Sequence, residues 1–129
     1  MILETTFIID ILKGRKDAID KLNLMVEDNE PIEITSPSIF ELWTGAVALQ
    51  RGDYEKERIR KIIDGQKIYS LDKSSAEIAG KINGELIKKG MQIDPEDCMI
   101  AGISIINDKT LLTRDNHFER IEGLKIEKY

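Results

Sequence analysis

The sequence has little of what marks secreted, membrane-embedded or zinc-binding proteins. Among its 129 residues it contains one cysteine, Cys98, and one histidine, His117. One cysteine excludes an internal disulfide and is typical of a reducing compartment, and the pair provides no zinc cluster. No apolar run approaches the roughly 20 residues of a membrane span, and Glu4 interrupts the apolar start where a signal peptide would continue. We therefore expect a cytoplasmic protein with no membrane partner.

The chain also lacks an excess of positive charge. Its 24 acidic residues outnumber its 19 lysines and arginines, which gives a formal net charge of −5. This balance disfavours a generally basic nucleic-acid clamp, but it is compatible with a nuclease whose acidic site is neutralised by metal ions. Phosphate-binding loops, HExxH helices and nucleophile elbows are absent too.

The sequence does contain an alternation of short apolar strands and amphipathic helices. Its length suits a single domain over residues 1–129. Predicted strands cover 2–4, 32–35, 67–71, 110–113 and 124–127, and predicted helices cover 7–12, 16–27, 36–52, 53–64, 74–89 and 95–106. Expected helix caps are Thr5 or Thr6, Ser36, and a capping box over Ser74–Glu77. The alternation predicts an α/β sandwich with a central, mainly parallel five-stranded sheet.

Four acids fall near the carboxyl ends of these strands, where parallel sheets bind ligands. Glu4 ends the first strand and Asp115 follows the fourth. Glu41 lies in the second turn of the helix after the second strand, and Asp97 in the first turn of a nearly all-apolar helix. We expect the four carboxylates to converge in one cleft.

Carboxylates at close range raise one another's pKa, and a hard divalent cation relieves that conflict. Mg²⁺ prefers oxygen ligands and retains several waters. One or two such ions activate water and stabilise the leaving oxygen of a phosphodiester. Thr5, Thr6 and Thr113 are placed to orient the carboxylates.

Each of these acids also has an ordinary interpretation. Asp97 could favour the dipole of its helix, Glu41 could be a solvated residue, and Asp115 could belong to a turn. Glu4 is the hardest to dismiss, because a buried strand rarely ends in an acid. His117 is interpreted as a residue at a helix start, and Cys98 as a core residue.

Trp43 lies on an apolar stripe, so it is interpreted as a core residue or a dimer contact. A phosphoacceptor signalling domain would have similar elements and size. That class would need an acidic pair after the first strand and an aspartate after the third. The chain offers only Glu4 and Asp72, and we interpret Asp72 as a helix cap.

Four segments together resemble a known family. They are MILETTFIIDILKG, TSPSIFELWTGA, GMQIDPEDCMIAGISI and TLLTRDNHF. An acid before an apolar IAG-type helix, followed by a strand that ends in Thr-Arg-Asp, is the most specific part. In this order and spacing the whole chain resembles the PIN-domain ribonucleases, and within them the VapC-type toxins of toxin–antitoxin pairs.

The resemblance implies a PIN-like α/β/α sandwich and Mg²⁺- or Mn²⁺-dependent hydrolysis of RNA by metal-activated water. Carried over by position, the catalytic and metal-binding acids are Glu4, Glu41, Asp97 and Asp115, and the supporting hydroxyls are Thr6 and Thr113. The family also implies a homodimer and a cognate antitoxin protein that blocks the site.

The chain departs from the family pattern at Glu4, where the family usually has Asp. Glutamate places its carboxylate more than ~1 Å further out, and a misplacement of about 1 Å costs on the order of 10²-fold in rate. Three interpretations follow. The site shifts its metal to suit Glu4; the protein is a weak or inactive PIN-fold binding module; or the change was introduced to weaken a toxic nuclease.

Overall fold

The fold is built on one five-stranded sheet in which all neighbouring strands are parallel. The computed structural model describes all 129 residues. The strands are β1 (Ile2–Leu3), β2 (Glu33–Thr35), β3 (Lys67–Tyr69), β4 (Leu111–Leu112) and β5 (Ile126–Glu127), in the order β3-β2-β1-β4-β5. The predicted α/β class and parallel five-stranded sheet are confirmed.

Six α-helices and one short 3₁₀ helix connect the strands. They are α1 (Thr5–Leu12), α2 (Lys16–Glu27), α3 (Ser36–Ala48), α4 (Asp53–Ile63), α5 (Lys73–Lys88), α6 (Pro95–Ile106) and the 3₁₀ helix Asn116–Arg120. No helix is long and apolar enough to cross a membrane.

Side-chain alternation along the strands divides the core into two clusters. Leu3 and Leu112 pack with residues of α1 to α4. Ile2 and Leu111, one residue earlier in their strands, pack with residues of α5, α6 and the 3₁₀ helix. Because successive strand residues point to opposite faces, each face of the sheet carries its own layer of helices.

The caps of α1 and α3 differ from the predicted ones, because Glu4 and Thr35, each one residue or more earlier, cap these helices. Asp72 caps α5 as interpreted, but its capping box is formed with Ser75 and not over Ser74–Glu77. Strand β1 is correspondingly shorter than predicted, because Glu4 caps α1 instead of extending β1.

The buried residues of α2 are Ala18 and Met25. The end of α3 was predicted wrongly. Helix α3 ends at Ala48 and not near residue 52, because Gln50 adopts a left-handed backbone with φ of 51° that ends the helical path.

Helices α5 and α6 pack at very close range through Gly102. A Cβ atom at this position would lie 2.7 Å from the Ser75 carbonyl oxygen and 2.9 Å from the Ala79 amide nitrogen. Only a residue without a side chain permits this approach. The contact fixes α6, which carries Asp97, against the rest of its layer.

Candidate metal-binding site

The candidate site lies at the carboxyl ends of β1, β2 and β4, the central strands of the sheet. Glu4 follows β1 directly, and Thr113 and Asp115 follow β4. Glu41 and Asp97 arrive on α3 and α6, whose first turns begin at this same region of the fold. The parallel topology therefore places four segments distant in sequence around one edge.

The Glu4 carboxylate is held by two threonines. Its Oε1 accepts hydrogen bonds from the Thr6 amide at 2.9 Å and the Thr6 hydroxyl at 3.3 Å, and its Oε2 accepts one from the Thr113 hydroxyl at 3.2 Å. Only 3% of Glu4 is exposed. Burial, with a contribution from the charge of Glu41, raises the Glu4 pKa to about 7, although these hydrogen bonds oppose the rise.

Glu41 is oriented by hydroxyl groups of the neighbouring segments. Its Oε1 accepts a hydrogen bond from the Thr5 hydroxyl at 2.8 Å, and the Thr5 and Ser38 hydroxyl oxygens lie 3.0 Å apart. Burial raises the pKa of Glu41, as do the charges of Glu96 and Asp94, while the bond from Thr5 lowers it. The carboxylate is thus fixed in direction in a negatively charged neighbourhood.

Asp97 experiences the negative charge of all the other candidate acids. It is 8% exposed. Burial comes first among the causes that raise its pKa to about 8, followed by the charges of Glu4, Glu41, Asp94 and Asp115. This electrostatic coupling brings the four predicted site acids into one group.

Asp115 lies at the more open side of this group. Its Oδ1 accepts the His117 amide at 2.8 Å, so it caps the 3₁₀ helix, and His117 Nδ1 lies 3.1 Å from the same oxygen. The Asp115 amide donates to the Thr113 hydroxyl at 3.0 Å. Thr113 therefore links Asp115 to Glu4, with one hydroxyl contacting both.

The two buried site acids, Glu4 and Asp97, differ from the other buried acids in having no cationic partner. Buried Asp10 pairs with Arg114 and lies near Arg15, and buried Glu33 pairs with Lys109 and the Met1 amino group. No lysine or arginine forms an ion pair with the site acids, Glu4, Glu41, Asp97 and Asp115. Buried charges without partners are costly, so this contrast identifies an unusual site.

The donor chemistry of these acids fits a hard divalent cation. All the available ligand atoms are carboxylate oxygens, which Mg²⁺ and Mn²⁺ accept. No group of three or more His, Cys, Asp or Glu side chains is arranged to hold a metal ion. Mg²⁺ commonly binds through only one or two carboxylates and completes its shell with waters and substrate oxygens.

Three contributors were missed by reasoning from the sequence. Ser38 joins Thr5 in the hydroxyl network, and Asp94 and Glu96 add charge near Glu41. The acidic stretch before α6, Asp94-Pro95-Glu96-Asp97, carried a signal that could have indicated the last two. Asp72 caps α5 as predicted and takes no part in the site.

The parallel sheet and the acidic site at its edge define a class of protein, and comparison with known families identifies that class. The family model described as the PIN domain matches residues 1–124. The chain therefore belongs to the PIN-domain family, in agreement with the resemblance seen in its sequence.

Within this family the chain is similar to VapC proteins. It is 28% identical over 129 residues to the tRNA(fMet)-specific endonuclease VapC of Salmonella typhimurium, covering 98% of this chain and 96% of that protein. It is 30% identical over 102 residues to ribonuclease VapC3 of Methanocaldococcus jannaschii, covering 79% and 95%. Among solved structures, DNA-bound VapBC from Salmonella typhimurium superimposes with a TM-score of 0.79 at 27% identity, covering 98% of this chain and 96% of that one.

Proposed function

We propose that this protein is a metal-dependent endoribonuclease that acts as the toxin of a toxin–antitoxin pair. The observation that carries the proposal is the group of site acids without lysine or arginine partners at the carboxyl edge of the sheet. The similarity to VapC proteins named as an endonuclease and a ribonuclease supports the same reaction class. RNA is the proposed substrate, and the cytoplasm is the proposed place of action.

Glu4, Glu41, Asp97 and Asp115 are the proposed metal-binding and catalytic residues, with Mg²⁺ or Mn²⁺ as the cofactor. Bound there, the ion would activate water and stabilise charge on the phosphodiester during hydrolysis. Thr6 and Thr113 hold the Glu4 carboxylate in place through three hydrogen bonds. Thr5 does the same for Glu41. Hydrogen bonds from neighbouring donors orient metal ligands and increase their affinity for the metal.

Glu4 is the reason to keep a second candidate, a weakly active or inactive PIN-fold binding module. Both of its carboxylate oxygens already accept protein hydrogen bonds, and one of them caps α1. Aspartate is the usual acid at a helix cap, and glutamate reaches further from the backbone. A module of this kind would retain partner contacts and bind the metal without cleaving RNA.

The proposed partners are a cognate antitoxin and a second copy of the chain. The Salmonella neighbour is a VapBC assembly bound to DNA. A cavity of about 310 Å³, lined mainly by apolar residues of α1, α3 and α4, opens beside Glu41. An inhibitor covering this cavity would block the site. Phe40 and Val47 expose large apolar side chains on α3 and suit a homodimer contact.

The experiment compares RNA cleavage by the wild-type chain and by Asp97→Asn with Mn²⁺ or Mg²⁺. Initiator tRNA and total RNA are both offered, because the Salmonella relative is named for tRNA(fMet). We expect cleavage by the wild type only, abolished by EDTA and restored by metal. The matched control is Asp20→Asn, which removes an exposed acid paired with Lys16. Metal binding by the wild type without cleavage of either RNA would favour the binding module instead.

A further inference from the structure

Asp10 is the most buried acid of the chain and lies next to the candidate site without belonging to it. It is 1% exposed. The Arg114 guanidinium contacts both of its oxygens, with Nε 2.8 Å from Oδ2 and Nη2 3.2 Å from Oδ1. The Tyr129 hydroxyl donates to Oδ2 at 2.8 Å. This set of contacts joins α1, the loop after β4 and Tyr129, the second residue after β5.

Arg114 occupies a decisive position in the chain because it lies between Thr113 and Asp115. Its side chain is fixed to Asp10 in α1, and the preceding Thr113 is bonded to Glu4 at the start of the same helix. The loop is thus attached to α1 twice. A two-bond contact between a guanidinium and a carboxylate fixes orientation as well as distance, which a single bond does not.

Residues after β5 complete the attachment from the other side. The Tyr129 ring meets the Phe7 ring edge-on, with centroids 4.5 Å apart. Lys128 donates to the Asp115 carbonyl at 3.3 Å and to the Asn116 side chain at 2.9 Å. The backbone on both sides of the Asp115 side chain is therefore held by groups that take no part in the acid cluster.

The charges argue against an anion-binding role for this region. Arg15 pairs with Asp17 and lies 3.8 Å from Asp10, while Arg114 pairs with Asp10. Two arginines face two aspartates, so no net positive charge is left to attract a phosphate. A role in holding the site together accounts for the contacts better.

We propose that Asp10, Arg114 and Tyr129, together called the Asp10 brace, are positioning residues that hold Thr113 and Asp115 in register with Glu4. The inference rests on the proposed function for its catalytic consequence. Its structural consequence is independent of cleavage. Without the brace, the loop after β4 moves relative to α1, and Asp115 no longer faces the other site acids.

The structural test is amide hydrogen exchange measured by NMR at pH 7 on the full chain. The reporters are the Asp115 amide, bonded to the Thr113 hydroxyl, and the His117 amide, bonded to Asp115. In Arg114→Ala we expect both to exchange on the order of tenfold faster. The Thr113 amide, bonded to Glu127 in the sheet, should change little. Tyr129→Phe, which removes one hydroxyl, gives a smaller effect in a variant that stays folded.

The catalytic test measures kcat and KM for RNA in the same variants. We expect Arg114→Ala to lower kcat on the order of 10²-fold with KM unchanged. Arg114→Lys should recover part of the loss, because it keeps the charge but not the two-bond contact. In an Asp115→Asn background, Arg114→Ala should add little, since the residue it positions is already disabled. Asp20→Asn serves as the control.

Two results would overturn the proposal. Unchanged exchange at Asp115 and His117 in Arg114→Ala would show that the brace does not hold the loop, whether or not the chain cleaves RNA. A raised KM with unchanged kcat would make Arg114 an RNA contact. If the wild type cleaves no RNA, the proposed function fails. The exchange measurement still tests whether the Asp10 brace holds the loop after β4.

Discussion

At the scale of single residues, the main question is how Glu4, in place of the family's usual aspartate, affects catalysis. Its carboxylate is placed by Thr6 and Thr113, so its position is set by the protein and not by free rotation. The sequence could indicate Glu4 as a site residue, because a strand ending in an acid is uncommon. It could not show that the same carboxylate caps α1, because the capping oxygen depends on backbone angles that the sequence leaves open.

We expect Glu4→Asp to cleave RNA faster than the wild type, on the order of 10²-fold, because it moves the carboxylate by about 1 Å toward the family position. Aspartate also caps helices well, so α1 should be preserved. The measurement is kcat/KM with Mn²⁺. Glu41→Asp is the matched control, since the same shortening at a neighbouring acid should slow cleavage. Equal or slower cleavage by Glu4→Asp would mean that the site is built for glutamate.

At the scale of elements, the positions of the helices were predicted well, whereas their caps and buried residues were predicted less well. The bounds of α2 were predicted correctly, since Gly14 and the apolar spacing mark them. Its two buried residues, Ala18 and Met25, were not identified from the sequence. The capping box of α5 was misplaced onto Ser74 and Glu77, because these two residues have the spacing of a capping box, whereas Asp72 and Ser75 form it.

The packing of α5 on α6 gives an element-scale prediction. Gly102→Ala should lower the free energy of unfolding by roughly 1–3 kcal/mol, because the added methyl group meets backbone atoms of α5 that cannot move independently. It should also slow cleavage, since α6 carries Asp97. Urea unfolding measures the first effect, and RNA cleavage measures the second.

Gly80→Ala is the control, at an exposed helical position with no atom near the added methyl group. It should raise the free energy of unfolding by about 0.5–1 kcal/mol through helix propensity. A Gly102→Ala variant as stable as the wild type would show that α5 and α6 can separate at little cost.

At the scale of the whole molecule, the order of elements was enough to predict which acids share an edge of the sheet. Parallel topology makes that inference reliable, since every strand ends at the same side. The Asp10 brace and the pairing of Glu33 with Lys109 were beyond prediction. Their partners lie far apart in the chain, and no local pattern indicates which acid will meet which base.

The final prediction concerns the stability of the metal-free protein, which depends on the same acids. Folding raises the pKa of Glu4 from 4.5 to about 7 and that of Asp97 from 3.8 to about 8. The folded state therefore binds more protons than the unfolded state between about pH 4 and pH 8. As far as these two acids determine it, stability should consequently be highest below about pH 4 and should fall as the pH rises toward 8.

Divalent cations should reverse this slope, because they bind ionised carboxylates of the folded state only. Thermal unfolding from pH 5 to pH 8, in EDTA and in Mn²⁺, measures both effects. We expect the Tm in EDTA to fall across this range, and the Tm gained from Mn²⁺ to grow across it. In Asp97→Asn the fall in EDTA should be smaller, because one of the two acids no longer ionises. A Tm gain from Mn²⁺ of equal size at pH 5 and pH 8 would show that the ion binds elsewhere, because ligands that must lose protons bind metal more strongly as the pH rises.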